Sequence, residues 1–312
     1  MKTKTLFMFL FLFSLRVLSC DNCNVYFNLN PNDGKHNIGF YYRTRVMQGL
    51  YNGIGLQTMT KHASHGNDPA FWGNQVQETY RTYELRGEFL IKNRWRTYVI
   101  LPFVQNSQYI DDNKRYTVSG IGDPILMESF QIIDPTRLSK NENVTQRLEL
   151  GAGVKAPLGK VNIRVENETP NLDLQPGSGS WNFLAFIKYS LKIKNGGLMV
   201  NTNFKRSTFN SDGYRYGNVL NCSGNYFYQT KIKSLTLIPS VGVNAEYARH
   251  DFTTEEQFET GGVAIFANGG LQMFWKKFRL FGEFQKAVFN KMNGYTQLIN
   301  KYKFNVGFSY YF

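Results

Sequence analysis

The chain has 312 residues and a formal net charge of +13, with 36 basic and 23 acidic side chains. It contains 26 Phe and 19 Tyr but only 3 Cys, which excludes a small secreted domain built on disulfides. The basic residues are dispersed rather than gathered on one helix or stripe, so we expect no nucleic acid partner and take anionic membrane lipid as the neighbour.

The N-terminus has the pattern of a secretory signal peptide. Met1-Lys-Thr-Lys supplies a basic start and Leu6 to Phe13 a short apolar run, although Arg16 departs from the ideal pattern. We predict cleavage after Ser19, so that residues 1–19 are removed and the mature chain carries a net charge of about +10.

Residues 20–35 form a segment ahead of the first predicted strand, and they contain Cys20 and Cys23. Three interpretations of this Cys pair remain open. The thiols could form a disulfide in an oxidising compartment, Cys20 could be acylated, or both could take part in soft-metal or haem-related binding, although a closed zinc site needs four ligands.

Alternating apolar and polar residues, bounded by turn residues, predict twelve strands in the remainder of the chain. They are 36–49, 77–92, 95–108, 118–132, 145–157, 180–192, 197–207, 216–231, 234–249, 261–275, 278–290 and 302–312. Each is long enough to cross a bilayer at a tilt, and single-chain bacterial barrels have even strand numbers. We therefore predict an all-β fold, a transmembrane antiparallel β-barrel of the outer-membrane type over residues 36–312.

The predicted connections alternate in length. Most turns at one end are short, at 92–94, 192–196, 231–233 and 275–277, with a longer one at 134–140. Connections at the other end are long, at about 50–76, 109–117, 158–179, 208–215, 250–260 and 291–301. Because outer-membrane barrels have short periplasmic turns and long extracellular loops, we expect both termini in the periplasm.

Strand parity also predicts which side chains face the lumen. Phe183, Ala185 and Ile187 should face lipid, as should Leu280 and Phe284, because the opposite assignment would place charges in hydrocarbon. The inward set is Arg43, Arg45, Glu84, Arg86, Glu88, Glu149, Lys155, Lys188, Lys205, Glu246, Arg279 and Glu283. These residues either select a charged solute or pair with one another and brace the barrel.

A catalytic alternative rests on the first long loop. His62 and Ser64 are two residues apart, a spacing that lets His activate Ser when both lie on one strand, as in outer-membrane lipid hydrolases. Here they lie in a loop, and His62 with His65 would be a weak surface metal pair. No phosphate loop, nucleotide fingerprint or metalloprotease motif is present, so we predict a non-enzyme with no cofactor.

The last strand ends the chain on an aromatic residue. Phe304, Val306, Phe308, Tyr310 and Phe312 share one face, while polar or small residues occupy the other. This pattern resembles the terminal assembly signal of bacterial outer-membrane proteins, which implies the barrel assembly machinery as a partner.

Three segments resemble one outer-membrane family. They are Gly120-Ile-Gly-Asp-Pro-Ile-Leu126, Gly151-Ala-Gly-Val-Lys-Ala-Pro-Leu-Gly159 and Leu174-Gln-Pro-Gly-Ser-Gly-Ser-Trp181. The order and spacing are similar to the transporter-like barrels of the phenol degradation meta-pathway family, especially those of Bacteroidetes. Such relatives carry Cys-x-x-Cys near the N-terminus, commonly followed by Gly-Cys, which this chain replaces with Asn24-Val25. The resemblance implies hydrophobic or aromatic solutes.

We therefore expect a Gram-negative outer-membrane channel or transporter for small solutes. One alternative is a lipid hydrolase that uses His62 and Ser64. Another is a non-conducting barrel that binds a metal or a partner through Cys20 and Cys23.

Overall fold

The structure is a computed structural model that describes residues 35–50, 74–92, 94–133, 143–258, 260–293 and 298–312. Its strands are β1 Asn37–Leu50, β2 Gln75–Lys92, β3 Trp95–Ile110, β4 Asn113–Ile121, β5 Ile125–Ile133, β6 Val144–Lys155, β7 Asn182–Ile193, β8 Gly196–Ser207, β9 Val219–Tyr228, β10 Thr230–Ile232, β11 Leu235–Ala248, β12 Asp251–Phe252, β13 Glu256–Gln257, β14 Gly262–Trp275, β15 Phe278–Met292 and β16 Ile299–Tyr311. A short 3-10 helix, Leu172–Leu174, lies between β6 and β7. Within these ranges no helix is long and apolar enough to cross a membrane.

The strands close into an antiparallel barrel. Each main strand pairs with its sequence neighbour, and β1 pairs with β16 from Asn37 opposite Tyr311 to Gln48 opposite Ile299. β4 and β5 together form the fourth wall strand and β9 and β10 the eighth, which gives twelve; β12 and β13 form a separate hairpin. The predicted twelve-stranded barrel is confirmed.

The fourth wall strand differs from its prediction in two ways. The predicted loop 109–117 is wrong, because β3 continues to Ile110 and β4 begins at Asn113; Asp111 and Asp112 make the turn with φ of 46° and 63°. Asp tolerates this left-handed conformation better than most residues. The predicted continuous strand 118–132 is also wrong, since Gly122 to Pro124 interrupts it and Pro cannot donate to a ladder.

The predicted direction of the side chains is confirmed in the strands for which it was specified. Phe183, Ile187 and Leu280 are exposed on the outer face, whereas Lys188 and Arg279 are buried inside. Along β16, Phe304, Phe308, Tyr310 and Phe312 are exposed and Asn305 and Ser309 are buried. The outer face is therefore apolar and aromatic, as a lipid-facing surface requires.

Apolar side chains also fill part of the interior. We use "turn end" for the end of the barrel where the short connections lie, and "loop end" for the other. At the turn end, inward side chains pack into one group, here the turn-end cluster: Met199, Phe227, Ile238, Phe274 and Tyr311. Gly197 lies under the Phe227 ring, where a Cβ atom would collide with it. The barrel is thus narrowed at its turn end by packed side chains.

An arginine on the outer face of β11 should destabilise the barrel according to its depth. Val241 is 61% exposed near the middle of β11. Replacing it with Arg should lower the free energy of unfolding by about 2–4 kcal/mol, because the charge would lie in hydrocarbon. Leu235→Arg, on the same face at the strand end, should lower it by about 0–1 kcal/mol. Urea unfolding in lipid vesicles measures both; equal costs would contradict the assigned membrane depth.

Candidate functional site

The segment from residue 156 to residue 181, here the inner loop, folds into the loop end of the barrel. Leu174 is fully buried and packs with Met47, Tyr80 and Val118, which are inward residues of β1, β2 and β4. The Asn106 side chain of β3 donates a hydrogen bond to the Leu174 carbonyl at 3.0 Å. The tip of the inner loop therefore lies against the barrel wall from inside.

A single buried carboxylate, Asp123, connects the three sequence motifs. Its oxygens accept hydrogen bonds from the Gly159 N–H at 2.9 Å, the Ser178 N–H at 2.8 Å and the Ser178 hydroxyl at 2.7 Å. Lys155 Nζ lies 3.4 Å from the same carboxylate. The Gly-Asp, Lys-x-Pro-x-Gly and Gly-Ser motifs thus meet at the point where the inner loop leaves and rejoins the wall.

Glycine is required where the two ends of the inner loop touch. A Cβ on Gly177 would lie 2.6 Å from the carbonyl carbon of Gly159, and a Cβ on Gly159 would lie 2.8 Å from the Asp123 nitrogen. The Gly177 N–H donates to the Lys160 carbonyl at 2.8 Å. Backbone therefore packs directly on backbone here, which any side chain would prevent.

The buried side-chain amide of Gln175 connects separate parts of the inner loop by hydrogen bonds. Its oxygen accepts from the Ile163 N–H at 2.9 Å, and its nitrogen donates to the carbonyls of Ile163 and Pro170, both at 3.2 Å. Because these bonds satisfy buried backbone groups, the inner loop has a defined conformation rather than an arbitrary one.

A cavity of about 80 Å³ lies between the inner loop and the wall formed by β1, β2 and β3. This is room for about six water molecules, at roughly 10–15 Å³ each on the same measure. The described residues that line it are Arg43, Arg45, Tyr80, Thr82, Glu84, Arg86, Ile100, Pro102, Val104, Asn106, Asp123, Ile125, Lys155, Leu172, Asp173, Gln175, Pro176, Gly177, Ser178, Lys205 and Tyr216. We call it the lumen cavity.

The structure brings half of the predicted lumen residues to this cavity. They are Arg43, Arg45, Glu84, Arg86, Lys155 and Lys205. Arg43 and Arg86 both form ion pairs with Glu84. Arg45 lies 3.4 Å from Glu246, which also binds Lys303.

The remaining predicted residues lie elsewhere in the interior. Lys188 is 3.6 Å from Glu149, and Glu88 pairs with Arg96. Arg279 donates to Gln272 at 3.0 Å, and Glu283 accepts from Gln285 at 2.7 Å. The first three contacts connect neighbouring strands and so brace the wall away from the cavity, whereas Glu283 and Gln285 lie on the same strand.

Several buried charges were missed in the sequence. Asp123, Arg96 and Lys303 all take part in interior ion pairs; Asp251 is buried in β12, and Asp173 lies in the 3-10 helix of the inner loop. Lys303 is two residues before Asn305 on the same strand, so strand alternation could have predicted that it faces inward. Asp123 lies within the Gly-Asp motif, but its burial was not predicted. No local pattern indicated Asp173 or Asp251.

Amide side chains line the interior between the charged groups. Asn221 donates to Asn244 at 2.8 Å, and Asn244 donates to Gln285 at 3.3 Å. Asn201 of β8, Asn268 of β14 and Asn305 of β16 are also buried on inward positions. The lumen is therefore lined by neutral hydrogen-bonding groups as well as by charges.

Two carboxyl groups at the loop end have raised pKa values: Asp251 of β12, which is buried near Lys205, and Asp173 of the 3-10 helix. Burial raises the pKa of Asp251 to about 6, against hydrogen bonds from Tyr214 and the Gly217 N–H and the charge of Lys205. Burial, together with the charges of Asp251 and Glu78, raises the pKa of Asp173 well above its usual value, while Arg45 acts in the opposite direction. Asp251 can thus change charge within the range in which bacteria live.

Other predicted sites lie outside the described residues: Cys20 and Cys23, and His62, Ser64 and His65. Cys222 is exposed on the outer face of β9, where the Thr202 hydroxyl lies 3.6 Å from its sulfur. In the described ranges no three His, Cys, Asp or Glu side chains are grouped so that they could hold a metal ion.

No protein-family profile and no curated protein sequence matches the chain, whereas solved structures do. The COG4313 outer membrane channel from Pseudomonas putida F1 superposes with a TM-score of 0.63 at 14% identity, covering 91% of this chain and 100% of that one.

Two further solved structures are less similar. LpxR from Salmonella typhimurium gives a TM-score of 0.43 at 8% identity, covering 88% of this chain and 100% of that one. The NanC porin gives 0.39 at 12%, covering 88% and 98%. These two TM-scores are too low to support a conclusion about this chain. The similarity to the Pseudomonas channel concerns the fold alone. The chain therefore has the fold of an outer-membrane β-barrel.

Proposed function

We propose that this protein is a channel of the bacterial outer membrane that passes small solutes through its lumen. The observation that carries the proposal is the polar, charged cavity enclosed by an apolar barrel and bounded by the inner loop. A barrel needed only as a membrane anchor could fill its interior with packed side chains.

The proposal includes location and orientation. The signal peptide of residues 1–19 would be removed, both termini would face the periplasm, and the loop end would face outward, in keeping with the length of the connections. The convergence of three motifs on Asp123 supports, as a further part of the proposal, the likeness to the phenol degradation meta-pathway barrels of Bacteroidetes.

The proposed path is narrow in two places. The inner loop restricts it at the loop end, and the turn-end cluster restricts it at the other. Small solutes with apolar surface fit such a path better than large hydrophilic ones, because aromatic and aliphatic side chains contribute to both narrow regions.

Swelling of vesicles that contain the protein tests this function. Vesicles loaded with an impermeant polymer should swell in isosmotic solutions of small solutes and should stop swelling as the solute becomes larger. A folded barrel, verified by heat-modifiable migration on a gel, that gives no swelling with any solute would contradict the proposal.

The selectivity of the channel should depend on pH. Asp251 is ionised above its pKa of about 6 and neutral below it, so acidification removes a negative charge near Lys205. The preference for anions should rise by up to about threefold between pH 7.5 and pH 5, since removing one unit charge at a separation of about 6 Å in water is worth ~0.7 kcal/mol. Reversal potentials in a KCl gradient measure this.

Two variants test the assignment of the pH effect. Asp251→Asn should show the high anion preference at both pH values, because its side chain never ionises. Asp212→Asn, an exposed acid of the preceding loop, should behave as the unmodified protein. If Asp251→Asn keeps the full pH dependence, another group is responsible.

A further inference from the structure

We propose that the lumen cavity is a binding site for small organic acids, in which a carboxylate is joined to an apolar body about the size of one ring. The proposal rests on the proposed function in that the solute would reach the site through the lumen. It assigns a role to two sides of the cavity: the arginine wall, which is formed by Arg43 and Arg86, and the apolar wall, which is formed by Ile100, Pro102 and Val104.

One wall presents guanidinium groups to the cavity. Arg43 of β1 and Arg86 of β2 form ion pairs with the same carboxylate, Glu84, so the three groups together carry one excess positive charge. Arg86 is also held over the ring of Tyr41, 4.5 Å from its centroid. Guanidinium groups fixed in this way bind carboxylates well because their geometry is set before the ligand arrives.

The adjoining wall is apolar at the same height. β2 and β3 pair so that Thr82 lies opposite Val104, Glu84 opposite Pro102 and Arg86 opposite Ile100. Ile125, Leu172 and Pro176 extend this apolar surface around the cavity. A solute with its charge on the arginine wall would therefore place its body against Ile100, Pro102 and Val104.

The excess positive charge at the cavity lies on the arginine side. Five cationic side chains line the cavity, but Glu246 lies beside Arg45, Asp123 beside Lys155 and Asp251 near Lys205. The two arginines that share Glu84 therefore supply the excess. Burial raises the pKa of Asp173 well above its usual value, which reduces the negative charge that Asp173 brings to the cavity. Because the groups are withdrawn from bulk water, salt screens this excess less than it would on the surface.

The size of the cavity limits the solute. Room for about six water molecules corresponds to a small acid such as benzoate rather than to an oligosaccharide or a fatty acid. Acetate has the carboxylate that would bind the arginine wall but no ring to contact the apolar wall. Benzyl alcohol has the ring but no carboxylate.

Calorimetric titration of the folded full-length barrel in detergent tests the site without requiring conduction. Benzoate should bind. Benzyl alcohol should bind at least about tenfold more weakly, since a hydrogen bond to a charged group is worth roughly 1.5–3 kcal/mol. Acetate should also bind at least about tenfold more weakly, since burying an apolar body of ring size contributes about 1.5–3 kcal/mol. Equal binding of benzoate and benzyl alcohol would overturn the proposal.

Variants on the arginine wall give the second test. Arg43→Gln and Arg86→Gln should each weaken benzoate binding about tenfold, and each leaves Glu84 one arginine partner. Arg206→Gln, on the outer face of β8, is the matched control and should bind as the unmodified protein. Glu84→Gln should not weaken benzoate binding, because it raises the positive charge of the wall.

The results separate this site from the proposed function. Current through planar bilayers without benzoate binding would overturn the site and leave the channel intact. Benzoate binding that depends on Arg43 and Arg86, in a barrel that passes no current or solute, would support the site and overturn the channel. Unaltered binding in both arginine variants, each migrating as a folded barrel, would overturn the site.

Discussion

Replacing Asp123 with Ala should release the inner loop and widen the channel. The change removes the acceptor of three hydrogen bonds and leaves Lys155 without this partner in a buried place. Removing one partner of a buried ion pair lowers the free energy of unfolding by about 3–5 kcal/mol. Urea unfolding followed by tryptophan fluorescence should measure this loss. Single-channel conductance should increase several-fold.

Two variants control for this result. Asp123→Asn keeps an oxygen for Gly159 or Ser178 but loses the negative charge, so its effects should lie between those of Asp123→Ala and the unmodified protein. Asp212→Ala removes an exposed carboxylate from another loop and should change neither measurement. Lost stability without any increase in conductance would mean that the inner loop does not restrict the path.

Truncating an aromatic residue of the turn-end cluster should have the second large effect. Phe227 and Phe274 are buried with exposures of 3% and 5%, and Phe→Ala in a packed interior costs about 3–5 kcal/mol. The space left by the ring lies in the lumen, so conductance should rise as stability falls. Phe278→Ala, on the outer face at the same end, should leave conductance unchanged.

Combining the two changes tests whether the narrow regions lie on one path. Two restrictions in series add their resistances, so Asp123→Ala with Phe274→Ala should increase conductance more than either change alone. The stability losses should add, since the residues belong to separate groups of contacts. A conductance equal to that of Asp123→Ala would show that the turn-end cluster does not restrict the path.

Most strands could be predicted from the sequence because lipid and lumen impose opposite chemistry on alternate residues. That constraint placed the ends of β7 and β16 within about three residues and directed Phe183 and Lys188 correctly. It failed for the start of β4, where residues 113–117 are largely polar. These residues lie at the loop end, where the strand extends beyond the apolar band, so the alternation that marks a membrane strand is weak.

The inner loop could not be predicted from local pattern. Leu174 is buried against Met47 and Tyr80, which are distant in sequence, and no periodicity within 158–179 distinguishes it from an exposed loop. The Asp123 motif was visible, but its role depends on Gly159 and Ser178 reaching the same carboxylate in three dimensions.

The roles of the inward charged residues also could not be predicted from the sequence. Parity placed Arg43, Glu84 and Arg86 on one side of the wall, yet sequence alone left open whether such residues brace the barrel or select a solute. The structure shows ion pairs throughout and a cavity beside only some of them. The roles of Cys20 and Cys23, and of His62 and Ser64, stay predictions.

Single-channel recording of the mature protein in a planar bilayer tests the central claim most directly. We expect discrete current steps in the unmodified protein and larger steps in Asp123→Ala. Folded barrels that give no current in the unmodified protein, in Asp123→Ala and in the double variant with Phe274→Ala would contradict it, because both proposed restrictions would then be absent and the lumen would still be closed.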